Sequence, residues 1–216
     1  MKRESVIVLC EVLIPVGVCI LVMVVRMLFS LHSQRKWAES LSKERLLNLK
    51  AELAKAKKQF DIRGDDIVHP ADTIERLGYT IRERWFVPGG RQADTSKLPD
   101  KTVNVLKFLS SEQKNFALAH ELTHLIYHTE ELKLASQGKS KHSFFRSREP
   151  REQDRDHMAA SMLIPEQKFW DELTEAGYFQ QTPERKKEFI YRAAQKYNVE
   201  TPTVFRRISE LEVMMR

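Results

Sequence analysis

The sequence predicts a mostly helical α+β protein, in which an apolar N-terminal helix and a helical stalk precede a domain with a small antiparallel sheet. Three observations carry this expectation. Long stretches without Gly or Pro are rich in Leu, Ala, Lys and Glu, which favours helix. Two short segments, 79–87 and 102–109, alternate apolar and polar residues, as strands do. Between and around them, Pro and Gly punctuate the chain where turns belong.

With 216 residues, the chain holds one domain of ordinary size plus extras, or two small ones. A hydrophobic fraction of 42% suffices for a core. The formal charge of +6 makes the chain basic, which suits nucleic acid or a membrane surface, so the position of the charge matters. Cys10 and Cys19 both lie in the first apolar stretch. No disulfide framework is expected beyond it, and no thiolate metal site can be built there.

Residues 5–31 form the first element, S-V-I-V-L-C-E-V-L-I-P-V-G-V-C-I-L-V-M-V-V-R-M-L-F-S-L. The run reaches the roughly 20 apolar residues that span a bilayer. It is longer than the core of a cleaved leader, and no A-x-A-like site follows it. The expectation is a single transmembrane helix over 1–31. Arg26, Arg35, Lys36, Lys43 and Arg45 follow the run, so the positive-inside rule places the rest on the cytoplasmic side.

Residues 32–61 read as an amphipathic helical stalk. Leu46, Leu49, Leu53, Ala56 and Phe60 are spaced like a heptad stripe. The stripe can rest on the chain's own domain, pair two copies as a homodimer, or lie on anionic lipid. The first of these is preferred, since two heptads are too few to assert a coiled coil.

Residues 62–216 form the expected main domain. Pro70 starts a short helix that stops at Gly78. The strands at 79–87 and 102–109 flank a turn-rich loop, 88–100, and are expected to pair antiparallel. Tyr79, Ile81, Trp85 and Val87 occupy one face of the first strand. Ser110 and Gln113 form a capping-box pattern that opens the next helix.

That helix contains N-F-A-L-A-H-E-L-T-H-L-I-Y-H, residues 115–128, with Leu118, Leu122, Leu125 and Ile126 at helical spacing. His120 and His124 are four apart, hence on one face, which suits two ligands of a tetrahedral zinc ion. Glu121 between them can act on water there without being a ligand. Two His on a helix are often mere surface residues. Here the flanks are apolar, and buried ionisable groups are costly unless paired or metal-bound. His128, one turn on, suits a supporting or surface role, because three ligands from one helix cannot easily surround one ion. Residues 136–148 read as a mobile loop.

A third ligand must come from elsewhere. Pro150 and Pro165 bound one further helix, which carries Glu152, Asp154, Asp156 and His157. Asp154 shares the face of Met158 and Met162, and a salt bridge with a nearby Arg is its plainer reading. Glu152, Asp156 and His157 remain alternatives.

These two helices resemble the ImmA/IrrE-type metallopeptidases. In that family a helix like A-H-E-L-x-H-L-x-x-H is followed by one like E-x-E-A-D-x-F-A-A-x-L-L-M-P. The order of a small sheet and then the H-E-x-x-H helix is similar to zincin-type peptidases. The resemblance covers about residues 65–212 and includes the closing segment from Ala194 to Ile208. Aligning on Ala159-Ala160 and Leu163-Ile164-Pro165 puts Asp154 where the family's metal-binding Glu stands. The resemblance thus implies Zn²⁺ held by His120, His124 and Asp154, with Glu121 as general base. It implies a zinc endopeptidase acting on a specific regulatory protein, such as a helix-turn-helix repressor; the apolar run, an addition to the bare peptidase domain, makes the expected enzyme membrane-anchored. The Asp-for-Glu change at 154 keeps a second reading open, a catalytically silent, membrane-tethered regulatory module. Direct nucleic-acid contact is not expected, because much of the positive charge sits beside the apolar run.

Overall fold

The computed structural model describes residues 42–59, 61–62, 66–87, 91–95, 101–136 and 152–215. The apolar run at 1–31 and all but the first residue of the expected loop at 136–148 lie outside the described residues, as does the side chain of His128. Among the described residues, no helix is long and apolar enough to cross a membrane.

The first described helix, α1 (Lys43–Gln59), belongs to the same compact unit as everything after it. Its stripe of Leu46, Leu49, Leu53 and Ala56 is buried, and the helix packs on two later helices, α4 (Glu152–Leu163) and α7 (Thr201–Met215). These four residues of the stripe are therefore covered by the chain's own domain. Arg45 on α1 bonds Asp154 on α4, and Lys50 reaches Glu166 at 2.7 Å.

A short helix, α2 (Pro70–Arg76), has Pro at its first position, where the missing N–H costs nothing. Gly78 ends it at φ +81, a left-handed conformation that glycine adopts without a Cβ clash. Three strands follow: β1 (Thr80–Arg84), β2 (Ala93–Thr95) and β3 (Thr102–Leu106). The spatial order is β1-β3-β2. β1 pairs with β3 in parallel, Thr80 opposite Thr102, and β2 pairs with β3 antiparallel, Ala93 opposite Val105.

This corrects the expected antiparallel pair. The loop at 88–100 holds a strand of its own, so the chain reverses twice before β3. β3 then runs in the same direction as β1 and inserts beside it. Ala93-Asp94-Thr95 is too short to show a period, and Asp is a poor strand former, so the residues gave no signal. β1 also stops at Arg84, so Trp85 escapes the inward alternation and stands 72% exposed.

Helix α3 (Ser111–Ser136) follows β3 directly. Its capping box forms as the residues predict: the Gln113 N–H donates to Ser110 Oγ at 3.3 Å, and the Ser110 N–H to Gln113 Oε1 at 3.2 Å. One face of α3 packs on α2, β2 and β3, and another on α4. Beyond α4 come α5 (Glu166–Glu175), a 3₁₀ turn (Tyr178–Gln180), α6 (Pro183–Tyr197) and α7. Asn198, left-handed at φ 49, ends α6 and lets the chain reverse into α7.

Two apolar clusters result. One joins the sheet to α1, α2 and α3, around Ile74, Val103, Leu122 and Leu125. The other gathers Leu163, Phe169, Tyr197 and Val204 between α4 and the C-terminal helices. Both clusters draw on α3 and α4, so these two helices are the spine of the domain. Fully buried Leu side chains each stabilise by about 1.5–3 kcal/mol. Leu122, with no exposed surface, should on replacement by Ala cost about 2–5 kcal/mol in urea denaturation. A loss below about 1 kcal/mol would contradict its place at the centre of the spine.

Candidate metal centre

His120 and His124 project from α3 one helical turn apart, their ring centroids separated by 5.2 Å. The carboxylate that meets them is Glu152, at the start of α4. Its Oε2 lies 3.0 Å from His120 Nε2 and 3.8 Å from His124 Nε2. One ligand atom from each of these three residues falls within 4.8 Å of the others. Two imidazoles and one carboxylate form a donor set of the kind that holds catalytic zinc, with a coordination position left over. The residues present thus fit the metal that the motif implies.

Asp156 stands one turn after Glu152 on the same face of α4. His120 Nδ1 donates to its Oδ1 at 2.9 Å. With the ring proton held on Nδ1, the Nε2 lone pair is turned to the donor cluster. Asp156 Oδ2 in turn meets Arg206 Nη1 of α7 at 3.2 Å. Arg155, almost wholly buried, approaches the other Glu152 oxygen at 4.0 Å.

Glu121 is 6% exposed, and its Oε2 accepts a hydrogen bond of 2.5 Å from Thr95 Oγ1. Thr95 belongs to β2, so the short strand that the residues concealed is what holds the acidic group of the motif. A cavity of about 410 Å³ opens over these side chains, and Arg91, Gln92 and Phe116 help to line it.

The structure does not bring Asp154 to the imidazoles. Residues two apart on a helix point roughly 200° away from each other, so Asp154 faces away from Glu152 and Asp156. It bonds Arg45 from α1 instead, with Asp154 Oδ1 2.5 Å from Arg45 Nε. His157 also points elsewhere. Its Nδ1 meets Glu210 Oε1 at 2.7 Å, and Arg207 Nη1 donates to the other Glu210 oxygen at 2.7 Å. This buried network borders a larger cavity, about 590 Å³, between α1, α4 and α7. That cavity contains neither imidazole of the motif; the smaller one is lined by both.

Sequence reasoning thus assigned the two His and Glu121, and named Glu152 and Asp156 only as alternatives. The signal was available, because Glu152 and Asp156 repeat the i, i+4 spacing of the histidines. Thr95, Arg155 and Arg206 had no comparable signal.

Charge at the site is uneven. Burial pushes the His120 pKa down, but the Asp156 hydrogen bond and the nearby carboxylates outweigh it and leave it raised. Burial, with the charges of Arg155 and His120, lowers His124 to about 4. Burial raises Glu121 above its ordinary value, although Thr95 and His120 pull the other way. Burial opposes ionisation of Asp156 too, yet the His120 hydrogen bond and the Arg206 charge win and lower it.

The fold and the donor set together define a class, small α+β domains with an H-E-x-x-H helix facing a carboxylate on a second helix. The chain belongs to the family described as IrrE N-terminal-like domain, Peptidase_M78, over residues 74–209. None of the curated proteins matches it in sequence. Among solved structures it is similar to a Mycobacterium tuberculosis transcriptional regulator, at 15% identity and a TM-score of 0.51. That similarity covers 76% of this chain and 47% of the regulator, so this chain matches about half the regulator's length and the likeness speaks for the fold alone.

Metal binding requires neutral rings, so a proton on His120 competes with zinc. Above its raised pKa the affinity is at its plateau; as pH falls through that value, affinity falls about tenfold per unit, one proton per metal. His124, at about 4, adds a second proton only in more acid solution. Calorimetric titration with zinc between about pH 5.5 and 8.5 checks this, and a two-proton slope near neutrality would contradict it. In the same assay Glu152→Gln should lose zinc by about 10²-fold or more, while Asp154→Asn should keep it and lose stability instead.

Proposed function

We propose that the chain is a zinc-dependent endopeptidase in which His120, His124 and Glu152 hold the ion and Glu121 is the general base. The observation that carries this reading is the convergence of three donor atoms within 4.8 Å beside a buried glutamate. When bound there, zinc supplies Lewis acidity, which polarises a carbonyl and acidifies water. Glu121 takes the proton from the attacking water and delivers it to the leaving amine. Thr95 donates to Glu121 Oε2 and so fixes the orientation of this carboxylate. Burial raises the Glu121 pKa, which makes it a stronger base than an exposed carboxylate and helps it to return the proton. Asp156 holds His120 in one tautomer, and the His120 hydrogen bond together with the Arg206 charge favours the ionised form of Asp156.

The family resemblance supports a protein substrate, with a helix-turn-helix repressor as the first candidate to test. Residues 1–31 supply a single membrane anchor in this reading, with the catalytic domain on the cytoplasmic side. The apolar run and the basic residues after it support that part. The silent-module alternative drew on the shorter arm of Asp154. With Glu152 as the carboxylate ligand, that motive lapses.

Glu121→Gln is the direct test. Zinc content should stay the same, while cleavage falls by about 10²–10⁴-fold. Cleavage at the wild-type rate in a zinc-loaded Glu121→Gln protein would sink the assignment.

A further inference from the structure

Trp85, Phe86 and Phe108 are 72%, 72% and 62% exposed. Large aromatic side chains gathered on an open surface cost free energy unless a partner covers them, and such patches mark interaction sites. Trp85 follows β1 and Phe108 follows β3. Because these strands run parallel, both residues emerge at one end of the sheet, their ring centroids 5.7 Å apart. Lys107 Nζ lies 4.8 Å from the centre of the Trp85 ring. Arg82 and Arg84 of β1 are exposed just before them in the chain, while Arg91, also exposed, lies 3.5 Å from Asp94. The nearby Glu83 is paired with Lys114 at 2.6 Å, so the patch keeps a positive balance.

One backbone row joins this patch to the metal centre. The Lys107 N–H donates to the Arg84 carbonyl at 2.8 Å, and the Leu106 N–H to the Gln92 carbonyl at 2.9 Å. Gln92 and Arg91 line the cavity over His120 and Glu121. Two strand spacings separate Gln92 from Arg84, roughly 10 Å, the reach of about three extended residues.

We infer that this aromatic and basic end of the sheet is a docking subsite for the protein substrate. It selects a segment of acidic and apolar side chains about three residues beyond the part lying over Gln92. The inference rests on the peptidase reading and extends it to substrate choice. Positive charge attracts lipid headgroups and nucleic acid as well. A peptide is favoured because the row leads straight to the cavity, which a membrane surface or a nucleic acid has no reason to follow. The aromatic pair supplies the anchor, and the basic residues supply selectivity.

The test uses the full chain in detergent with Glu121→Gln, so that binding is read without turnover. Fluorescence anisotropy compares two labelled peptides about a dozen residues long, one alternating Asp and Leu, the other Lys and Leu. The Asp peptide should bind at least about tenfold more tightly. Adding Trp85→Ala with Phe108→Ala should weaken it by at least about tenfold. Adding Arg84→Glu with Lys107→Glu should reverse the preference toward the Lys peptide. All four positions are exposed or flank exposed aromatics, and far-UV circular dichroism checks that the variants stay folded. Unchanged affinities in both variants would overturn the inference, as would tighter binding of oligothymidylate or short-chain phosphatidylserine through the same residues. Since the readout needs no cleavage, its failure is distinct from a failure of the peptidase assignment.

Discussion

The hydrogen bond from His120 Nδ1 to Asp156 is the constraint on which the rest of the structure depends. It joins α3 to α4 at the point where each helix presents two functional groups one turn apart. Once that bond is made at 2.9 Å, Glu152 necessarily sits across from His120 and His124, because it is one turn from Asp156 on the same face. Ionisable groups at a helix interface are expensive to bury alone. Here each has a partner: His120 with Asp156, Asp156 with Arg206, and Glu121 with Thr95.

The opposite face of α4 is organised by the same principle, for structure rather than chemistry. Asp154 meets Arg45 of α1, while His157, Glu210 and Arg207 form a buried chain to α7. Arg207 Nε also donates to the Ile164 carbonyl at 3.1 Å, satisfying backbone just past the end of α4. These links hold α4 from behind while Glu152 and Asp156 face forward. α1 therefore acts as a brace for the helix that completes the metal centre, and its apolar stripe is spent on that contact.

The small sheet has two jobs at its two edges. At one, β2 brings Thr95 to Glu121. At the other, the end of β1 leaves Trp85 and Phe86 in solvent. Both depend on the strand order β1-β3-β2, in which β3 is central and its two neighbours remain edges. A simple hairpin of β1 and β3 would have left no strand to support Glu121.

Periodicity and end signals in the residues alone determined α1 to α4, the capping box at Ser110, the paired histidines and the glutamate between them, whereas α5, α6 and α7 were not read from the residues. It did so because those features repeat within one element, where 3.6 residues per turn fixes who shares a face. The stripe on α1 was legible for the same reason, including the preference for packing on its own domain. The expected antiparallel pair is overturned by relations between elements, and such relations also set Asp154 against Arg45 and away from the imidazoles. A three-residue strand has no period to read, so the extra reversal that makes β1 and β3 parallel could not be foreseen. Alignment favoured Asp154 by residue type, yet the angular offset of two residues along a helix turns it toward α1 and away from the rings. Which carboxylate of α4 faces α3, and which serine or threonine holds Glu121, was decided only when tertiary packing set the rotation of one helix against another.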